Sequence, residues 1–122
     1  MKSWGTRKMN VLEIKEAVNA KILTKNDNLD VQYQYAFASD LMSDVLAYAN
    51  NETLLITGLN NPQVIRTAEM MDISAILFVR GKIPSKETIE LADENKMTIF
   101  ATDYIMFKAC GLLYENGMRG LE

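Results

Sequence analysis

The strongest constraint on the fold is a regular alternation of strand-like and helix-like segments from residue 31 to about residue 117. Each strand-like run is followed by a longer stretch with helical spacing. The strand-like runs cover residues 31–37, 53–57, 73–79 and 97–102, and the helical stretches cover about 40–50, 62–71, 85–96 and 103–116. Such alternation favours a mostly parallel sheet with right-handed crossovers. The sequence therefore predicts a single α/β domain with a sheet of four to five strands and helices on both faces.

Two of the strand-like runs illustrate the patterns behind this prediction. Tyr33, Tyr35 and Phe37 alternate with small or polar residues, which is the period-two pattern of a strand. Residues 53–57 are instead a short run with a continuous apolar centre. That composition is typical of a strand covered on both faces.

The first thirty residues lead into this pattern. Residues 1–9 show no periodicity and are predicted to be a flexible arm. Asn10 is a candidate N-cap, and the apolar spacing from Val11 to Val18 predicts a short helix. Residues 21–24 are predicted to add a short strand. The expected organisation is an arm over residues 1–9 and one domain over residues 10–122.

Composition excludes several classes of function. The formal net charge is −3 and the longest basic run is Arg7-Lys8, which disfavours nucleic-acid binding because phosphates require clustered cations. No apolar run approaches the length of a membrane span. The absence of histidine and the single Cys110 exclude His-dependent triads, internal disulfides and thiolate zinc clusters. The lone thiol, predicted to be a buried apolar group, and the lack of a secretory signal predict a cytoplasmic protein.

The strand-to-helix turns of such a sheet all lie at its carboxyl edge, where open α/β sheets bind ligands. Helix N-termini at this edge present N–H groups and the positive ends of helix dipoles. The edge is therefore predicted to bind a small anionic metabolite or a nucleotide. The candidate ligand-binding residues in these turns are Ser39, Asp40, Ser43, Asp44, Gly58, Asn60, Arg80, Gly81, Lys82, Thr102 and Asp103.

The two Ser-Asp pairs at residues 39–40 and 43–44 allow two interpretations. If Asp40 and Asp44 are i and i+4 on one helix, their carboxylates share a face and could hold a hydrated Mg²⁺. Alternatively, Ser39 or Asp40 caps the helix and the acids complement its dipole, which is the more usual role. No residue is therefore assigned to a metal.

The remaining turn residues also have structural alternatives. Arg80 and Lys82 form an anion clamp in one interpretation and a solvated loop in the other. Thr102 and Asp103 either face a ligand or cap the last helix. The glycines of the second and third turns belong to neither a dinucleotide-binding motif nor a P-loop.

Three segments together resemble the DRTGG domain family: residues 37–46, 79–84 and 102–107, in that order. The resemblance covers about residues 10–120. It implies an α/β fold of about this length, found alone or as an accessory region beside catalytic or CBS modules. Examples of such neighbours are some phosphate acetyltransferases and CBS-containing inorganic pyrophosphatases.

The resemblance implies a regulatory or interaction module that forms a dimer, and it transfers no catalytic residue. The chain departs from the family's letters at two places. Asp40 is followed by Leu41-Met42 rather than by an arginine, and the Gly-Gly of the second motif corresponds to Gly81-Lys82. Both departures fall within the candidate ligand-binding turns.

The residues and the resemblance favour a non-catalytic regulatory domain that senses a small anionic metabolite or nucleotide. Such a domain is expected to form a homodimer and to act on a partner enzyme. Two alternatives stay open: a small Mg-dependent phosphoryl- or acyl-transfer enzyme that uses Asp40 and Asp44, and an interaction subunit without a ligand. No catalytic residue and no cofactor is assigned. The aromatic strand at 31–37 and the last helix are the predicted dimer contacts.

Overall fold

Alternating strands and helices form a three-layer α/β structure in the computed structural model, which describes residues 8–25 and 29–121. In these residues the elements are β1 (Met9–Asn10), α1 (Val11–Ala17), β2 (Lys21–Ile22), β3 (Gln32–Tyr33), β4 (Tyr35–Ala38), α2 (Met42–Tyr48), β5 (Thr53–Thr57), α3 (Pro62–Met70), β6 (Ala75–Phe78), α4 (Lys86–Glu94), β7 (Thr98–Ala101), α5 (Met106–Glu115) and β8 (Arg119–Gly120).

The central sheet has the strand order β2-β7-β6-β5-β4-β8. All neighbours from β7 to β8 pair in parallel, and only the pair of β2 with β7 within this sheet is antiparallel. The predicted α/β class with a mostly parallel sheet is confirmed. The sheet has six strands rather than four to five, because a two-residue strand such as β8 carries no periodicity of its own.

The aromatic run at residues 31–37 does not form one strand, as was predicted. Gln32–Tyr33 pairs with Met9–Asn10 in a separate two-stranded sheet, whereas Tyr35–Ala38 joins the central sheet. Tyr33 is buried and its hydroxyl lies 2.7 Å from the hydroxyl of Ser74. Burial raises the pKa of Tyr33, although this hydrogen bond lowers it. Tyr33 and Phe37 pack in the cores on opposite faces of the central sheet, so the alternation did not place the aromatic residues on one face.

Side chains from the two faces of the sheet enter two separate cores. One core lies under α1 and α5 and contains Leu54 and Leu77, and the other lies under α2, α3 and α4 and contains Leu55 and Ile76. The prediction of helices on both faces is confirmed. Cys110 of α5 is half-buried against the first core, and burial raises the pKa of its thiol.

Most of the predicted arm lies outside the residues that the structure describes. Its last residue, Met9, is buried and pairs with Tyr33, so the folded domain starts no later than this residue. The predicted cap is present, because Asn10 Oδ1 accepts a 2.8 Å hydrogen bond from Glu13 N and Glu13 Oε1 accepts one of 2.9 Å from Asn10 N. Among the described helices, none combines the length and the apolar character needed to cross a membrane.

Candidate functional site

The carboxyl edge contains a point where the chain leaves neighbouring strands toward opposite faces. After β6 the chain continues to α4, which packs on the same face as α2 and α3. After β7 it continues to α5 on the other face. Open α/β sheets bind ligands in the crevice outside such a pair of strands. In this chain those two strands end in the turns that contain residues 80–82 and residues 102–104.

Asp40 connects the first two turns of this edge. Its Oδ1 accepts a 2.6 Å hydrogen bond from the backbone N–H of Gly58 and a 3.2 Å hydrogen bond from Thr57 Oγ1. Helix α2 has Leu41 at its N-cap, and no side chain caps it. The prediction that Ser39 or Asp40 caps this helix was therefore wrong. Asp40 instead fixes the position of the β4–α2 turn against the neighbouring β5–α3 turn.

The Mg²⁺ interpretation required Asp40 and Asp44 on one helix. Asp40 precedes α2, while Ser43 and Asp44 lie in its first turn, so the i and i+4 geometry is not formed. The hydroxyl of Ser39 accepts a 3.0 Å hydrogen bond from Leu41 N within its own turn. Within the described part of the chain, no cluster of three or more acidic or cysteine side chains could hold a metal ion.

Arg80 and Gly81 share a left-handed backbone, with φ of 63° and 68°. The other described non-glycine residues with positive φ are Asn19, Asp72 and Lys96. Each of those follows the end of a helix, where this conformation is common. Arg80 lies instead in a strand-to-helix turn, where the left-handed conformation costs a non-glycine residue about 1–2 kcal/mol. Strain of this kind is concentrated at functional sites.

Two backbone hydrogen bonds hold this turn in place. Arg80 N donates to Tyr104 O at 2.8 Å, and Gly81 N donates to Thr102 O at 2.9 Å. The third turn of the edge is thus bonded to the fourth, which fixes the strained conformation from outside the turn itself.

The side chain of Arg80 extends back over the second turn. A Cβ atom on Gly58 would lie 2.9 Å from Arg80 Nη2 and 3.3 Å from Asp40 Oδ1, so the guanidinium and the carboxylate approach the same glycine. Asp103 approaches the third turn in a similar way, because its Oδ1 would lie 3.2 Å from a Cβ on Gly81. The structure therefore brings Asp40, Gly58 and Arg80 together, and separately Gly81 and Asp103.

The other candidates have more local roles. Thr102 is buried, and its hydroxyl donates to Val18 O at 2.7 Å and accepts from Tyr104 N at 3.2 Å, so it fastens the edge to α1. Asn60 Nδ2 donates to Ile83 O at 3.2 Å and joins the second turn to the third. Lys82 is exposed.

Asp103 was predicted to cap the last helix, and that prediction was wrong. The N-cap of α5 is Ile105, and the helix has no side-chain cap hydrogen bond. Sequence reasoning also missed Thr57, which donates to Asp40, and Lys108, whose ammonium lies 4.0 Å from the centroid of the Tyr104 ring. The signal that could have indicated Thr57 is a threonine at the end of a buried strand, when the neighbouring strand ends in a turn that contains an acid.

The exposed side chains at the edge carry both charges. Arg80, Lys82 and Lys108 are cations suited to phosphate or carboxylate groups. Asp40 and Asp103 are acceptors suited to hydroxyl or amino groups. This combination can recognise a ligand that has an anionic part and a hydrogen-bond-donating part.

The comparisons with known proteins agree with the earlier resemblance. One solved structure aligns with 89% of this chain at a TM-score of 0.76 and 20% identity: the CBS and DRTGG domains of the regulatory region of Clostridium perfringens pyrophosphatase, complexed with the activator diadenosine tetraphosphate. The chain spans about half of that structure (47%), and the likeness shows a shared fold. No curated protein matches the chain. A model of the DRTGG domain matches residues 13–115, which is most of the sequence, so the chain belongs to the DRTGG domain family.

Proposed function

We propose that this chain is a regulatory domain that binds a small anionic ligand, in the first place a nucleotide, at the carboxyl edge of its sheet. It forms a homodimer and transmits its bound state to a partner enzyme in the cytoplasm. The observation that carries the proposal is Arg80, a cation in a left-handed turn beside the point where the connections of β6 and β7 diverge.

The backbone at position 80 does not call for an arginine, whose guanidinium approaches Gly58 beside the Asp40 carboxylate. Glycine would adopt the same backbone without strain, as it does at Gly81. The turn is already held by its two backbone hydrogen bonds, which do not depend on the side chain at position 80. A strained arginine at this exposed edge supports the proposal, because its guanidinium is suited to contact the anionic group of a ligand.

The mixture of charges around Arg80 favours a nucleotide over a simple anion. Arg80 and Lys82 would contact phosphate groups, and Asp103 would accept hydrogen bonds from sugar hydroxyls or base amino groups. The related regulatory region from pyrophosphatase contains a DRTGG domain and was solved with a dinucleotide activator. That similarity supports a regulatory use of the same fold here.

The enzymatic alternative loses its geometric basis. It required the carboxylates of Asp40 and Asp44 on one helix face, and Asp40 is bonded to the neighbouring turn instead. The other alternative, an interaction subunit without a ligand, predicts that the chain binds no small anion, which a binding experiment can test.

The first test is a thermal-shift and calorimetric titration of the full chain with ATP, diadenosine tetraphosphate and inorganic phosphate. A ligand present at 100 times its Kd stabilises the folded state by about 2.7 kcal/mol, which raises the Tm by roughly 10 °C for a domain of this size. A shift with the nucleotides that exceeds the shift with phosphate is expected. No shift with any of the three would support the ligand-free interaction subunit instead.

Arg80→Gly separates binding from stability. We expect this variant to bind the nucleotide about 10- to 100-fold more weakly, because a charged hydrogen bond is worth about 1.5–3 kcal/mol. The same change relieves the left-handed strain, so the free energy of unfolding should be unchanged or higher. Calorimetric titration gives the first quantity and urea denaturation the second.

The matched control is Arg66→Ala, which removes an exposed arginine from α3. It should leave both quantities within error of the wild type. If Arg80→Gly binds as tightly as the wild type, the carboxyl edge is not the site.

A further inference from the structure

An apolar cavity of about 140 Å³ lies between the outer strands of the central sheet and the last helix. Its floor belongs mainly to β4 and β8, and its roof belongs to the second half of α5. None of the candidate ligand-binding residues of the carboxyl edge lines it. Protein interiors are close-packed and rarely contain a void much larger than a water molecule. A cavity of this size is therefore unusual in a packed α/β fold.

The cavity exists because the outer two strands carry small residues under α5. Ala36 and Ala38 of β4 are paired in register with Leu54 and Ile56 of β5, which are large and buried. Ala36 is also paired with Gly120 of β8. Alanine and glycine are depleted in strands, since they leave a pleated surface unfilled. Bulk is thus missing at three neighbouring positions of the sheet, and α5 passes over the gap.

The backbone of the described chain does not require a glycine at position 120. Gly120 lacks the positive φ of Gly81 and Gly117. A Cβ atom on Gly120 would meet no group within 4 Å beyond its chain neighbours. A larger side chain is therefore compatible with this position, and a β-branched one would suit a strand better. What the glycine provides is open space beside Ala36.

The lining combines buried side chains with exposed residues. Ile56, Leu113 and Met118 are buried, whereas Ala38 and Gly120 are exposed. The cavity therefore opens to solvent along Ala38 and Gly120, and a small molecule can enter it while α5 and β8 stay folded.

The polar groups of the lining are directed at the chain itself. Arg119 Nη1 donates to Met118 O at 2.8 Å and to Tyr114 O at 3.0 Å, and Arg119 Cζ lies 4.1 Å from the centroid of the Tyr114 ring. Burial raises the pKa of the Cys110 thiol, which keeps it protonated and neutral at neutral pH. A charged or strongly polar group placed among these side chains would lose its hydration with little compensation.

The size of the cavity matches a single ring. An apolar cavity of about 150 Å³ inside a protein binds one benzene molecule. The apolar lining and the volume therefore define the same class of ligand, which is small, uncharged and apolar.

We propose that this cavity binds a small uncharged apolar group, about the size of one aromatic ring, at a site distinct from the carboxyl edge. The removal of apolar surface from water drives binding. The bound group contacts β4, β8 and α5 together, so it stabilises the pairing of the two-residue strand β8 with β4. This inference is independent of the proposed nucleotide site, because the two sites share no residue.

The test titrates the full chain with toluene and with benzoate, which differ in charge. Toluene should shift the methyl NMR resonances of Ala36, Ile56 and Leu113, and benzoate should leave them unchanged. Cys110 is the single cysteine of the chain and lines the cavity, so its rate of reaction with a thiol reagent reports on occupancy. Toluene should lower that rate at least fivefold.

Two substitutions fill the cavity from its floor. Ala36→Val and Gly120→Val add methyl groups to lining positions and use a side chain that strands favour. Each should keep or raise the Tm and abolish both effects of toluene. Gly111→Ala is the matched control, because it adds a methyl group to α5 beside Cys110 but outside the lining. This variant should retain both effects of toluene.

The outcomes separate the site, its location and its chemistry. A wild type whose methyl resonances and Cys110 reaction rate do not respond to toluene overturns the site. Folded Ala36→Val and Gly120→Val variants that bind toluene like the wild type overturn its location. Benzoate that binds at the same methyl groups as tightly as toluene overturns the uncharged class of ligand. Nucleotide titration is a separate measurement, so none of these outcomes decides the proposed function.

Discussion

Arg80 and Gly81 show how much a single backbone conformation can constrain a site. Their left-handed φ values mean that a pair of glycines would fit positions 80 and 81 without strain. The family resemblance had placed the Gly-Gly of its second motif at Gly81 and Lys82. In the structure the two consecutive left-handed residues are Arg80 and Gly81, one position earlier in the chain. This chain therefore carries an arginine at a position whose backbone favours glycine.

Gly81→Ala should destabilise the fold by about 1–2 kcal/mol. The alanine Cβ would be strained by the φ of 68° and would lie 3.2 Å from Asp103 Oδ1. Urea denaturation of the variant measures the loss as a lower midpoint at an unchanged slope.

Gly111→Ala is the control for this prediction. Gly111 lies inside α5 with nothing within 4 Å of an added Cβ. Alanine there should stabilise the helix by about 0.8–1 kcal/mol. If both substitutions change the midpoint in the same direction, the left-handed geometry at Gly81 is not what limits substitution.

Helix caps were the least predictable feature at this scale. Asp40 and Asp103 are short acids just before helices, which is the local signal for capping. Both lie against a neighbouring turn instead, because an adjacent parallel strand places a glycine within their reach. Where the neighbouring strand sits is not encoded in the few residues around the acid. At Asn10 the predicted cap is present, and Ser85 likewise caps α4 through its side chain.

At the scale of elements, Asp40 joins the β4–α2 turn to the β5–α3 turn through its hydrogen bonds. Asp40→Ala should cost about 2 kcal/mol in the free energy of unfolding, because it removes a charged acceptor and leaves the buried Gly58 N–H without its partner. Equilibrium denaturation in urea measures this loss. Asp40→Asn retains an acceptor oxygen and should recover part of it.

Asp44→Ala is the comparison for Asp40→Ala. Asp44 lies in the first turn of α2, where an acid interacts favourably with the helix dipole by about 0.3–1 kcal/mol. Equal losses in the free energy of unfolding from the two substitutions would contradict the bridging role of Asp40. They would indicate that both acids act only at the start of the helix.

The elements of the alternating region were predicted well because each segment contains its own hydrophobic periodicity. Strands β5, β6 and β7 and all the helices after residue 40 lie where the periodicity placed them, with ends that differ by a few residues. The aromatic run was predicted as one strand and is two, with Gln34 between them. Periodicity describes which face a side chain occupies, but the pairing partner is chosen by contacts distant in sequence.

At the scale of the whole molecule, residues 118–120 bring an edge strand to the central sheet. Strand β8 pairs with β4, and Met118 just before it is buried in the core under α1 and α5. Met118→Ala should destabilise the protein by about 3 kcal/mol, since it removes a large side chain from a packed core. The midpoint of urea or thermal unfolding reports this change.

Met70→Ala is the matched control, because Met70 lies at the exposed end of α3. Its effect should stay within about 0.5 kcal/mol. A Met118→Ala variant as stable as the control would mean that the segment from 118 to 120 does not contribute to the core.

The sequence by itself determined the class of fold, the two-faced sheet and the edge at which polar turns collect. Those features follow from local periodicity, which each segment carries within a few residues. Tertiary structure alone decided which groups meet at that edge: Asp40 with Gly58, and Arg80 over the same glycine. These arrangements depend on strand order and on hydrogen bonds between residues 17 or more positions apart, and no local pattern specifies either.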